Sequence, residues 1–549
     1  MLNAKLLLKR YEKSKTNRDC LHSIWRETAD YVRPVKQDIG IEENSQDGTP
    51  NQTRLAAIFD TTAIDANRTY AAGCMSWMTP SETNWFAFDP PNYLEEDDVV
   101  KSWYSTCTDI SRQVMAGSNF YSHIHECYLD DGAFGTCGLL TEEDSKYGLR
   151  FESLQIGQYS ILENDRRQVD TLFRDLRLTP RQAAQKFGEE NLHVDERKLL
   201  NENNKDCDRL GQYVHMIMPR EDSERTPGMI DGANMPWASI YIDKKRQHIV
   251  RESGSWENPA AVHRHLLWSN LEYGFSPGMQ ALPDCRQLNH MQSYLDTLVE
   301  KQVSPPVLLP SDFEGKVDLR AGGHTFFKDG QNMPQHWQTP GSYNIGEDRT
   351  LFRSRQINRA FHVQLFQALG EVPVGKEMTA AEIHMRQRDR LTLFSPTFAR
   401  KNTELNTPVM RRVFSILLRA GAFPKPPPNL VQQNQDGFAF LPDPEITYTS
   451  RLALQMRAIH NEGFERSMQM AGPLFEVNPE VADNIDFDNV FRKLYRNEGA
   501  PEGGLRPERE VQELRMARAE QQQQMQKQEA AAADADSLAK LGQAGLVST

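Results

Sequence analysis

The run Gly370-Glu-Val-Pro-Val-Gly375-Lys376-Glu377 fits GxxxxGK, the first seven positions of a phosphate-binding P-loop. In such a loop the backbone N–H groups cradle phosphate and the lysine reaches its oxygens. The next residue must be Ser or Thr to hold Mg²⁺, but Glu377 would set a carboxylate there. A strand must precede the first glycine, whereas Ile357 to Leu369 carries a helical period. The tidy candidate for a metal-binding second motif, Ile240-Tyr-Ile-Asp243, lies upstream, in the wrong chain order. The better reading is a glycine-flanked loop between two helices, in which Gly370, Pro373 and Gly375 forbid continued helix and permit tight turns.

His123, His125, Cys127 and Cys137 are metal-capable types close together. HxHxC spacing aligns three ligands only on a strand, and Tyr121 to Asp131 reads as helix. Zinc sites usually show CxxC or HxxxH spacing, so these four are read as structural. No Ser/His/Asp order, HExxH or paired-carboxylate motif stands out, and neither a catalytic residue nor a cofactor is assigned. Cationic side chains crowd two helical stretches: Arg353, Arg355 and Arg359 on one, and Arg386, Arg388, Arg390, Arg400, Lys401, Arg411 and Arg412 on the other. The first reading is a solvated face or ion pairs between neighbouring chains; the second is contact with nucleic-acid phosphates, a set that Lys301 and Lys376 would join.

The elements that must position these groups are mostly helical. Leu288, Met291, Leu295 and Leu298 are spaced 3, 4, 3, the seam of a helix over 284–303. That helix would be about 30 Å long. A turn with Gly274, Pro277, Gly278 and Pro283 precedes it, and Ser304-Pro305-Pro306 stops it. Residues 1–32 read as one amphipathic helix closed at Pro34, and 54–78 as another ended by Pro80. Ile357, Phe361, Leu365 and Leu369 recur every four residues in a helix over 351–369. A further helical region covers 379–420, bent near Ser395-Pro396, and another covers about 446–500. Residues 148–253 change character: Tyr213–Met218 and Ala238–Asp243 read as strands, and the latter forms a hairpin with His248-Ile-Val250. Residues 304–347 have close-set Pro and Gly with no helical period. The tail from 501 is rich in Glu, Gln, Arg and Ala, a solvated helix ending in disorder. The fold class is therefore mainly α with β-rich insertions (α+β).

The 549 residues suffice for several domains. A net charge of −13 argues against a chain that coats nucleic acid for affinity, but does not exclude a pore through which a polyanion must slide, where strong attraction would be a brake. No run of about 18 apolar residues exists, so no membrane span is expected. Seven scattered cysteines without CxxC imply reduced thiols.

Several motifs, in order, resemble one family. Arg18, Trp25 and Tyr31-Val-Arg-Pro34 come first, then Phe59-Asp-Thr-Thr-Ala63, Ala71–Pro80 and Trp85-Phe86. Tyr273–Asn289 and Val303-Ser-Pro-Pro-Val307 follow, then Met378–Ile383, Phe394-Ser-Pro396 and Arg419–Pro424. Together they resemble the head-to-tail connector (portal) proteins of short-tailed bacteriophages, the podoviruses, over most of residues 1–430. The resemblance implies a non-enzymatic, dodecameric ring at one capsid vertex of the virion, assembled in the host cytoplasm. Its implied partners are double-stranded DNA in the channel, the terminase packaging motor, tail and adaptor proteins, and capsid and scaffolding proteins. It also implies an architecture of wing (1–283 and 379–445), stem helices (284–303 and 348–369), clip (304–347) and crown (446–500), leaving 501–549 as tail. A tunnel loop would span 370–378, with Gly370, Pro373, Gly375 and Lys376. Lys376, Lys301, Arg353, Arg355 and Arg359 would face the channel. The alternatives are a P-loop ATPase of the packaging machinery and a helical scaffold that binds no DNA.

Overall fold

The computed structural model describes the chain except residues 1–2, 37–38, 40–54, 92–96, 145–147, 201–207, 222, 224, 227–228, 230, 269, 310, 312–316, 319–334, 337–342, 369–394, 434–438, 455–466, 473–482, 498–504, 507–509 and 526–549. The chain divides into two compact units. The first comprises Met1–Phe88, Ser105–Lys425 and Asp443–Ile446, and the second Asp89–Tyr104, Pro426–Pro442 and Thr447–Thr549.

The first unit opens with α1 (Ala4–Asp19) and α2 (His22–Val32), two helices where the periodicity predicts one. The break falls at Cys20-Leu21, where the Cys20 thiol bonds back to the Asn17 carbonyl. α3 (Thr62–Met78) stops at its cap Thr79, because a residue before proline is biased away from helical backbone. Next come β1 (Phe86–Asp89), α4 (Asp98–Gly117) and α5 (Phe120–Phe134). α5 ends on Gly135, whose φ of 70° and close backbone neighbours both require glycine.

The β-rich insertion contains two antiparallel sheets. β2 (Thr136–Asp144) lies between β3 (Gly148–Leu154) and β9 (Ala260–Arg264). The five-stranded sheet runs in sequence order: β4 (Tyr159–Glu163), β5 (Val169–Leu178), β6 (Gly211–Pro219), β7 (Trp237–Asp243) and β8 (His248–Ser255). The expected hairpin is β7–β8. Asp243, the carboxylate of the supposed second nucleotide motif, accepts the backbone N–H groups of Lys245 and Arg246 and closes its turn. The strand period of two serves both faces. Val214, Met216 and Met218 pack with Leu7, Leu8 and Tyr11 of α1, while Tyr213 packs with Phe187 of α6 (Pro180–Phe187).

β10 (Leu266–Leu267) pairs with β11 (Gly274–Phe275), and α7 (Pro277–Val303) follows at once. This helix begins seven residues before the expected 284. Ser276 caps it by accepting from the Met279 N–H at 2.8 Å, and Pro277 takes the first helical position, where its missing N–H costs nothing. Pro283 sits inside the helix on an exposed face. α7 pairs with α8 (Tyr343–Ala360), and a Cβ added at Gly346 would fall 2.4 Å from a Leu295 methyl, so glycine sets their close approach. The helix expected over 351–369 is interrupted. After Ala360 the chain turns at Phe361-His362, His362 having a φ of 54°, and resumes as α9 (Val363–Ala368). Within 304–347, β12 (Val307–Leu308) and β13 (Gln335–His336) pair antiparallel.

From residue 395 helix runs through a π turn at Asn402–Asn406 into α10 (Thr407–Arg419). In the second unit α11 (Phe487–Asn497) and a largely exposed helix over 510–525 are helical where expected, whereas Glu445–Tyr448, at the start of the region read as helix over 446–500, is a strand. The fold is thus mixed helix and sheet.

Candidate functional site: the paired helices and the buried charge cluster

The paired helices α7 and α8 carry the cations expected to face a channel. Lys301, near the C-terminal end of α7, is exposed, as are Arg355 and Arg359 on α8. Arg353 differs: it is half-buried and ion-paired to Asp284 of α7, so it joins the two helices. Gly370, Pro373, Gly375 and Lys376 lie outside the described residues, as do Arg386, Arg388 and Arg390. The segment before Gly370 is helix through Ala368 and not the strand a P-loop requires. α7 buries nothing beyond Asn289, and the pair leaves Tyr294 (72% exposed), Val303 (80%), Leu351 and Phe352 open to solvent in the single chain.

Of the remaining cations in the helix that runs from residue 395, Arg411 is exposed, as a solvated face requires, but the other three are not. Arg412 bonds Glu257 at 2.7 Å and Arg400 donates to the His265 carbonyl. Lys401 is wholly buried, and its ammonium lies 2.6 Å from Asp131 Oδ2. For Arg400, Lys401 and Arg412 these contacts within the chain correct the reading from sequence.

Around that pair, four elements converge. α5 brings Asp131, α3 brings Tyr70 and Cys74 one turn apart, and β9 and the residue after it bring His263 and His265. The π turn brings Glu404 one turn beyond Lys401. Tyr70 donates its hydroxyl to Asp131 Oδ2 at 2.7 Å, and Lys401 lies over the Tyr70 ring, 4.5 Å from its centroid. His263 places Nε2 3.3 Å from Asp131 Oδ1 and Nδ1 3.6 Å from Glu404 Oε2. His265 Nδ1 is 3.4 Å from Asp131 Oδ2. Arg264, pointing the other way along the strand, pairs with Glu163 and with Glu404 at 2.9 Å.

The electrostatics follow from this packing. Burial alone would push the Asp131 carboxyl up, but Lys401, then His263 and His265, hold it well below the usual carboxylate range. Burial would likewise depress Lys401, yet Asp131 raises it to about 12. Burial lowers His265 despite Asp131, and raises the Cys74 thiol and Tyr70 hydroxyl. Asp131, His263 and His265 bring three donor atoms within 4.8 Å of one another, a set that could hold a metal ion. Lys401 already supplies the cation at Asp131, so an ion pair accounts for the carboxylate. The only sequence trace of this cluster is His263-Arg-His265, whose alternation on a strand puts both imidazoles on one face.

The four metal-capable residues read as structural are not gathered into such a set. His123 Nδ1 accepts the Ser153 N–H at 3.1 Å, and the Cys127 thiol contacts the Gly138 carbonyl. All six described cysteines are free thiols. No helix among the described residues is long and apolar enough to cross a membrane.

The chain is 30% identical to the "Probable portal protein" of Bordetella phage BPP-1, over 98% of this chain and 95% of the relative. It is 28% identical to the "Portal protein" of Salmonella phage epsilon15, over 94% and 91% of the two chains. Among solved structures, a chain from the virion of a native gene transfer agent particle covers 77% of this chain and 91% of its own length, with a TM-score of 0.37 and 11% identity. The model of the bacteriophage head to tail connecting protein matches residues 4–505, and the chain belongs to that family.

Proposed function

We infer that this chain is a portal subunit: a non-catalytic protein that closes into a dodecameric ring at one capsid vertex, passes double-stranded DNA, and docks the packaging motor and later the tail. The observation that carries the reading is membership of the head-to-tail connecting family across residues 4–505. The paired helices α7 and α8 are the proposed stem. Their exposed Tyr294, Val303, Leu351 and Phe352 would be covered by the neighbouring subunit, since such apolar surface at one site marks an interface. Residues 304–347 are the proposed clip and the docking surface for the motor. The sheets with α1–α6 and residues 379–445 form the proposed wing, 446–500 the crown, and 370–378 the tunnel loop. Lys376, Lys301, Arg355 and Arg359 are the proposed channel cations, each exposed contact weak enough to let DNA slide. Arg353 supports the stem through Asp284. Capsid and scaffolding proteins would meet the ring during assembly in the host cytoplasm. Native mass spectrometry tests the assembly: a large closed oligomer of about twelve subunits supports it, and a stable monomer or two-fold dimer at high concentration refutes it.

A further inference from the structure

The first unit holds an open cleft of about 1970 Å³ outside the features described so far. Its lining has ten Lys and Arg side chains against six carboxylates, within a chain whose net charge is −13. The rest of the chain is therefore more acidic than the whole. At one place two cations make no direct ion pair. Lys186 lies over the Tyr241 ring at 5.2 Å, and neither it nor Arg150 makes a salt bridge among the described residues, although Glu142 stands opposite Arg150 in the β2–β3 register. Arg174 stands nearby, already paired with Glu152. Burial, together with the like charges of Arg174 and Arg150, lowers Lys186 despite Glu142 and Glu152. Beside it His215, 1% exposed, stacks on Tyr241 with centroids 4.0 Å apart. Its Nε2 meets Ser239 Oγ at 2.9 Å, but its Nδ1 has no partner. Cations in excess of the carboxylates around them, two of them without a direct ion pair, beside an orphaned buried ring nitrogen, call for an anion.

We propose that this cleft receives a polypeptide segment from a neighbouring copy of this chain, an acidic side chain of which seats its carboxylate between Arg150 and Lys186. The volume is about twice the upper end for small-molecule pockets, which favours a chain segment over a metabolite. The six carboxylates scattered through the lining would repel a continuous phosphate backbone, whereas a peptide of mixed charge fits. A head-to-tail ring needs two different complementary surfaces on each subunit. A cationic cleft on an otherwise acidic chain supplies one, and the acidic remainder supplies the other.

The inference rests on the ring reading, and one experiment separates the two. A photo-reactive benzophenone side chain is placed at Arg177, an exposed residue of the lining, and the purified protein is irradiated. The expected result is an inter-subunit adduct in denaturing gels, whose partner peptide contains Asp or Glu. Intact rings that give only intra-chain adducts, or none, overturn the cleft proposal and leave the ring reading standing. Absence of rings before irradiation overturns the ring reading itself. In a second arm, Lys186→Glu should cut the ring fraction at low salt at least tenfold, and salt should narrow the difference from the unmodified chain. An unchanged ring fraction at low salt counts against the proposal.

Discussion

The ammonium of Lys401 lies 2.6 Å from Asp131 Oδ2, and neither residue has measurable side-chain exposure. The pair ties the helix that follows residue 394 to α5, deep in the first unit. Removing one partner strands the other charge in the core. Lys401→Met should therefore cost about 3–5 kcal/mol of stability. The double variant Lys401→Met/Asp131→Asn should recover much of that loss. Thermal denaturation of the three proteins checks it; a Lys401→Met protein as stable as the wild type would sink the account of this core.

Buried histidines of this core, with His215 of the cleft, set a pH dependence. Burial lowers His215, His265 and His362, the last to about 4. Each stays neutral when folded but takes a proton in the unfolded chain below about pH 6.5. Their contribution is present above that value and is lost as pH falls toward their folded values. Asp131 and Glu404 are held low, Glu404 by His263 and Arg264 against its burial, so their stabilisation is full above about pH 4.5 and is lost only below it. Melting temperature should thus decline from pH 7 to 5 and drop further below 4. His362→Asn, which keeps a residue tolerant of positive φ, should flatten the first decline. A curve of unchanged slope would contradict that assignment.

On the paired helices, Tyr294→Glu combined with Phe352→Glu should leave the monomer folded, because both side chains are exposed. The same change should strongly reduce ring formation, by placing charge where apolar contact is proposed. Circular dichroism with analytical ultracentrifugation separates the two effects. Rings formed in normal yield would remove α7 and α8 from the proposed interface.

The channel cations should divide by environment. Arg355→Ala, Arg359→Ala and Lys376→Ala should keep the ring and alter DNA retention or packaging yield. Arg353→Ala should instead lower stability by about 1 kcal/mol, because it breaks a partly exposed pair with Asp284. Packaging assays beside thermal melts check this. ATP hydrolysis by the wild-type ring, lost in Lys376→Ala, would restore the P-loop reading.

Much of this fold was legible in local pattern. The seam Leu288, Met291, Leu295, Leu298 placed α7, and alternation placed β6 and the β7–β8 hairpin. The start of α7 was misjudged because Gly274 and Pro277 read as turn residues, although Ser276-Pro277 is also a cap followed by a first helical position. The break at His362 was hidden because Ile357, Phe361 and Leu365 keep a spacing of four across it. The buried cluster was not legible. Its members come from positions 70, 131, 263, 265, 401 and 404, and only tertiary packing distinguishes Lys401 from an exposed cation such as Arg411.

The ring itself is the most direct test. Negative-stain images of the purified protein should show top views of a closed ring with a central hole wide enough for duplex DNA. Compact particles without a hole, or open filaments of stacked subunits, would contradict the portal account.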